Sequence, residues 1–210
     1  MNKTPFTNRF ETLPDTLPIF PLGGVLLLPR GVLPLNIFEP RYIAMIDEAM
    51  RGHRLIGMIQ PRDDGRLYNV GCAGRISSYH ETSDGRYEIV LTGVARFAIV
   101  EELPQLDGYR RARTSWDAYR EDLEPIGCLD MDRGKLNGLL KGYFEQNGLT
   151  CSWDAVEGAS DEKLMTCLAM ICPFESHEKQ ALLEASCCRE RAKLFMTLLE
   201  MAQGDCGCRH

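Results

Sequence analysis

Two serines stand three residues before a lysine, in Ser160-Asp161-Glu162-Lys163 and Ser176-His177-Glu178-Lys179. That spacing is the serine–lysine signature of penicillin-recognising enzymes, but the companion motifs Ser-Asp-Asn and Lys-Thr-Gly are missing from the sequence. Both serines precede acidic residues at the start of an apolar helical pattern. There a hydroxyl accepts from free backbone N–H groups while the acids complement the helix dipole, so both read as N-caps. His177-Glu178 opens like a zinc-peptidase helix, yet Ala181 occupies the position where the second metal-binding histidine must lie. Nothing supplies the Gly-x-x-x-x-Gly-Lys-Ser/Thr loop that cradles phosphate, nor the Gly-x-Ser-x-Gly turn of a serine hydrolase. Cys206, Cys208 and His210 offer two soft ligands and an imidazole, one short of the four a structural zinc takes. Cys187, Cys188 or a second chain would have to complete that set, and a frayed tail with incidental thiols is the simpler reading. We therefore expect no catalytic residues, no enzyme activity, no cofactor and no bound metal.

One segment could bind rather than react. Tyr109-Arg110-Arg111-Ala112-Arg113, followed by Trp116 and Tyr119, interleaves guanidinium and aromatic groups as single-stranded nucleic-acid surfaces do. It also reads as an ordinary outer strand, with Tyr109, Arg111 and Arg113 on one face and arginines pairing with nearby acids. The whole chain of 210 residues carries 24 Lys and Arg against 30 Asp and Glu, a formal net charge of −6, which opposes attraction to phosphate or anionic lipid.

The elements that would position any site change character along the chain. With 44% hydrophobic and 26% charged residues the sequence can bury a core. Residues 1–16 read as an arm. Leu17–Leu22 and Val32–Phe38 are proline-punctuated extended segments, suited to edges or bulges. Tyr42, Ile43, Met45, Ile46 and Met50 recur near helical spacing, Pro40 suits a first turn and Gly52 a stop, so a short helix is predicted from 40 to 51. Strands are predicted over 55–59, 71–79, 87–92 and 94–100, with Ser83-Asp84-Gly85-Arg86 a hairpin turn. From about Trp116 the period changes. Residues 117–130 read as an acidic connector, 131–203 as a helical bundle and 204–210 as a cysteine-containing tail. Asn147-Gly148 and Pro173 end two of the helices. Gly134, Gly138 and Gly142 mark a face for close backbone packing, and Cys167 and Cys172 lie in an apolar pattern as small core residues. Nine cysteines, an odd count in a chain without an export signal or a bilayer-length apolar run, read as free thiols in a soluble cytoplasmic protein.

Several blocks together resemble the LON domain, the N-terminal substrate-recognition domain of ATP-dependent Lon protease. They are Leu17-Pro18-Ile19-Phe20-Pro21-Leu22, Leu28-Pro29-Arg30-Gly31 and Leu35-Asn36-Ile37-Phe38-Glu39-Pro40-Arg41-Tyr42. Val70–Ile76, Leu91–Phe97 and Glu178–Glu184 continue the similarity, so it runs over about residues 17–203. The resemblance implies an α+β fold: a PUA-like β pseudo-barrel with one short helix over 17–116, then a small C-terminal helical bundle. The sequence is similar to stand-alone bacterial LON-domain proteins, since the ATPase and serine–lysine peptidase modules of Lon have no counterpart in it. Arg30 stands where many Lon sequences run proline straight into glycine.

The function so implied is recognition of unfolded or exposed polypeptide segments, as an adaptor or regulator in protein quality control with a protease or chaperone as partner. RNA is the alternative ligand, because PUA-like barrels also serve RNA and fold does not fix function; no membrane partner is expected. Phe38, Glu39, Arg41 and Tyr42 are the candidate substrate-binding residues. Pro40 and Tyr42 also suit a structural junction there, with Glu39 and Arg41 satisfying backbone groups or each other.

Overall fold

The computed structural model describes residues 10–124 and 131–204. Its contacts divide the chain into two units, Met1–Pro125 and Ile126–His210. The first contains β1 (Thr16–Pro21), β2 (Val32–Ile37), α1 (Pro40–Arg51), β3 (Leu55–Ile59), β4 (Val70–Glu81), β5 (Tyr87–Leu106) and β6 (Tyr109–Ser115). The second contains α2 (Arg133–Asn147), α3 (Trp153–Gly158), α4 (Asp161–Ile171), α5 (Ser176–Glu184) and α6 (Cys188–Gly204). The fold is α+β, a six-stranded sheet followed by helices.

The strand order is β2-β5-β4-β3-β1-β6, and β6 also pairs with β5, so five strands close on themselves while β2 hangs on the first half of β5. Closure requires β5 to be long enough to serve β2 at one end and β6 at the other. The sequence suggests two strands broken at Gly93; the chain instead forms one strand of 20 residues, bent by register shifts against β4 and β6. Gly93 marks a close approach rather than a break. Arg30 N–H donates to its carbonyl at 2.9 Å and its own N–H donates to Gly31 O at 2.8 Å. A Cβ at this position would lie 2.0 Å from Leu28 O, so only glycine lets the Leu28–Gly31 turn dock. Arg30 takes the left-handed conformation, φ 64°, and its guanidinium donates to Glu124 O.

Phe97 fills the barrel core with Leu17, Ile19, Ala95, Ala112 and Trp116. Its ring lies edge-on to Trp116 at 5.8 Å, and Trp116 Nε1–H reaches back to Pro14 O at 3.0 Å. Residues 117–123, read as an aperiodic connector, form a 3-10 turn held to β5. Asp122 accepts from Arg96 N–H at 2.9 Å, Nε–H at 2.9 Å and Nη2–H at 2.8 Å, and the guanidinium also stacks 4.7 Å over Tyr119. Tyr109 differs from the sequence reading. It is buried at the start of β6, whereas Arg111 is half-buried and Arg113 exposed.

In the second unit, Asp132 caps α2 through Lys135 N–H at 2.9 Å and Gly148 ends it with φ 64°. Ser160 caps α4, accepting from Lys163 N–H at 3.4 Å. Ser176 is no cap: it is the first residue of α5, and Glu175 caps it, its N–H donating to Glu178 at 2.8 Å. Helix α3 has no counterpart in the sequence reading, being too short for periodicity to register. Arg133 ties it to α4, donating to Val156 O at 2.9 Å, Ala159 O at 2.6 Å and Asp161. Of the three spaced glycines only Gly142 meets another helix, against Gln203 of α6; Gly138 faces open space and Gly134 sees only its own cap. Cys172 is buried, whereas Cys167 is exposed on α4. Among the described residues no helix is long and apolar enough to cross a membrane.

Candidate functional site

The junction between β2 and α1 is set by local chemistry. Side chains along a strand alternate in direction, and β2 does so, with Val32, Pro34 and Asn36 exposed, Leu33 and Leu35 half-buried and Ile37 buried. The next outward position is Phe38, 66% exposed. Pro40 forces its predecessor out of the helical region, and Glu39 is extended, φ −72° and ψ 131°. With Pro40 as its first residue α1 forgoes one donor it could not have used, and Tyr42 and Ile43 N–H both donate to Glu39 O, at 2.9 and 3.0 Å.

The side chain of Glu39 makes no capping bond and pairs instead with Arg41, Nε to Oε2 at 2.9 Å and Nη2 at 2.6 Å. The Arg41 guanidinium lies 4.6 Å over the Tyr42 ring, whose centroid is 4.3 Å from that of Phe20 on β1. Tyr42 is only 8% exposed, and burial raises its phenol pKa against the lowering effect of Arg41. The four candidates thus divide. Tyr42 anchors α1 to the barrel, whereas Phe38, Glu39 and Arg41 form a surface: an uncovered aromatic ring beside an ion pair that solvent still reaches. Such a pair contributes at most about 1 kcal/mol to folding, so it is free to exchange partners. The β5–β6 turn, Asp107-Gly108, borders this surface, with Arg41 Cβ 3.4 Å from where a Gly108 Cβ would stand.

Two of the three arginines of β6 are ion-paired. Arg110 forks onto Glu102 at 2.6 to 3.0 Å, Arg113 pairs with Glu101 at 2.7 Å, and Arg111 donates to Pro104 O. The two ion pairs run across strands within one ribbon and offset two of its three positive charges. In the second unit Lys179 is buried, and burial lowers its pKa; Ser160 is engaged in capping. Among the described residues no three metal-binding side chains converge; Cys206, Cys208 and His210 lie outside them. Sequence reasoning missed the exposed stripe of β2, because Leu33 and Leu35 on the inward side are as apolar as Val32 and Pro34 and hide the alternation.

Comparison with known proteins agrees with this architecture. The family described as the ATP-dependent protease La (LON) substrate-binding domain matches residues 16–201. Lon protease 2 of Myxococcus xanthus is 30% identical over 199 residues, covering 90% of this chain and 24% of that protein. Lon protease of Anaeromyxobacter dehalogenans is 36% identical over 110 residues, 49% of this chain and 13% of that protein. The chain thus spans a quarter or less of the length of these two relatives. Among solved structures, a Lon N-terminal domain protein from Xanthomonas campestris superposes with a TM-score of 0.61 at 23% identity, covering 88% of this chain and 97% of its own. The N-terminal domain of Mycobacterium avium complex Lon protease gives 0.58 at 15% identity, covering 90% and 98%. The match across almost all of the sequence, on a barrel and helices of the same kind, places the chain in the LON substrate-binding domain family.

Proposed function

We propose that this chain recognises unstructured polypeptide and performs no chemical step on it, serving a protease or chaperone of protein quality control. The observation that carries the reading is Phe38, a large ring left 66% exposed at the β2–α1 junction beside the solvent-accessible Glu39–Arg41 pair. An exposed aromatic next to exchangeable charges suits chains that display apolar side chains and free main-chain groups together, as unfolded segments do. The family membership supports the same class of ligand. The pairing of Arg110 and Arg113 with Glu102 and Glu101, together with the net charge of −6, weakens β6 as a surface for RNA.

A disordered ligand loses conformational freedom on binding, about 2–5 kcal/mol of the gross interaction, so a single module should bind at roughly micromolar Kd. The test is titration with reduced carboxymethylated α-lactalbumin, its native form and a single-stranded RNA, each at low and moderate salt. Preference for the unfolded protein that persists at moderate salt is the expected result. RNA binding with a steep salt slope and no polypeptide binding would overturn it.

A further inference from the structure

Strand β2 is an edge, and its free side is open. It pairs with β5 alone, and the parity of that pairing is fixed by two observations. Gly93 of β5 turns both its N–H and its C=O toward Gly31 and Arg30, on the β2 side, while Val90 O accepts from Ser77 of β4 at 3.1 Å, on the other side. Alternation along β5 therefore aims Leu91, Ile89 and Tyr87 at β2, where they meet Leu33, Leu35 and Ile37. The residues between, Val32, Pro34 and Asn36, turn their main chains away. Pro34, which has no N–H, sits at a position where β5 does not need one. Among the described residues nothing hydrogen-bonds these outward groups: three carbonyls, of Val32, Pro34 and Asn36, and two N–H groups, of Val32 and Asn36.

The side chains of the same residues are also uncovered. Val32 is 60% exposed, and Pro34, Asn36 and Phe38 continue the row for roughly 20 Å, three steps of about 6.7 Å. Beside it a shallow groove of about 460 Å³ runs across β2, β5 and β4, lined by Pro34, Asn36, Ser78, His80, Glu88 and Val90. A row of unsatisfied main-chain donors and acceptors specifies another main chain, and an apolar row next to it specifies alternate apolar side chains.

We propose that an extended polypeptide segment of about six residues adds to the free edge of β2 as a seventh strand, its alternate apolar side chains against Val32, Pro34 and Phe38. This rests on the polypeptide-recognition reading and gives it a binding mode. Main-chain pairing makes the contact tolerant of sequence, and a segment without structure of its own has its main chain free to pair in this way.

Amide hydrogen exchange of the whole chain tests it, with carboxymethylated α-lactalbumin as probe. The Val32 and Asn36 amides exchange fast alone and slow at least about tenfold at saturation. Asn36→Pro removes one outward donor that the sheet does not use. It should weaken the probe about tenfold, the factor for one hydrogen bond of ordinary strength, with an unchanged circular dichroism spectrum. Saturating binding that leaves both amides fast, with Asn36→Pro binding as well as wild type, overturns the edge mode while leaving polypeptide recognition intact. Absence of any probe binding overturns both. Protection that rises with protein concentration and no probe assigns the edge to a second copy of this chain, and likewise overturns the proposal.

Discussion

Replacing Asp122 by asparagine removes the charge opposite Arg96 while keeping the shape of the side chain. Arg96 and Asp122 have 5% and 10% of their side chains exposed, so neither charge has water to fall back on. Burial works against the Arg96 guanidinium, and the hydrogen bonds and charge of Asp122 outweigh it, holding the arginine proton more tightly than in water. Asparagine can still accept from Nη2 through Oδ1. Its NH₂, however, would face the Arg96 N–H and Nε–H that now share Oδ2. Removing one partner of a buried pair costs about 3–5 kcal/mol, against a total of about 5–15 kcal/mol for a domain. We expect a loss near the lower end, about 3 kcal/mol, since one bond survives and Tyr119 still stacks on the guanidinium. Urea unfolding followed by fluorescence reads the first unit through Trp116 once Trp153→Phe has silenced the second. The apolar pair Arg96→Met with Asp122→Leu should recover most of the loss, because burying two matched apolar groups leaves no stranded charge. A loss under about 1 kcal/mol, or a double variant no better than Asp122→Asn, would refute the assignment of this pair as the clasp that holds the 3-10 turn on β5.

Gly93→Ala should destabilise the first unit by at least about 1–3 kcal/mol, since the new methyl collides with backbone that cannot turn aside. A urea midpoint within error of wild type would show that the Leu28–Gly31 turn does not dock so closely. Among the described cysteines Cys187 should be alkylated first at neutral pH, because hydrogen bonds from the Glu190 and Arg189 N–H groups lower the pKa of its exposed thiol. Cys172 should resist, its pKa pushed up to about 12 by burial; peptide mapping after brief iodoacetamide treatment gives the order. The same shift has a sign for stability. The unfolded chain releases the Cys172 proton near the ordinary value of 9.0 and the folded chain holds it, so this contribution is complete below pH 9 and is lost as pH rises toward 12. Cys172→Ala should flatten that alkaline decline in urea midpoints.

Much of the architecture was legible where local chemistry decides. Pro40 and Gly52 bracket α1 as read, and the turn at Ser83–Arg86 joins β4 to β5. The misreadings share a cause. Gly93 looked like a strand break because a glycine needed for close approach and one needed for a turn are the same letter; only the position of Leu28 O separates them. Glu101 to Leu106, acidic and containing Pro104, lacks alternation and yet extends β5, since its partner β6 supplies Arg110 and Arg113 for Glu102 and Glu101. The clasp of Asp122 on Arg96 spans 26 residues and leaves no local trace. At the candidate site, Phe38, Glu39, Arg41 and Tyr42 came as a group through the family signature. Their division into a buried anchor and an exposed surface depends on Phe20 and the sheet, which no spacing in the sequence encodes.

The central claim, that unstructured polypeptide is held at the β2–α1 junction, is tested most directly by site-specific photo-crosslinking. A benzophenone amino acid replaces Phe38 in one preparation and Arg66, an exposed residue of the loop between β3 and β4, in another. Each is irradiated with carboxymethylated α-lactalbumin and with the native protein. Adducts at position 38 with the unfolded form, several-fold above those with the native form and above those at position 66, are the predicted result. Equal yields at the two positions, or no preference for the unfolded form at position 38, would contradict it.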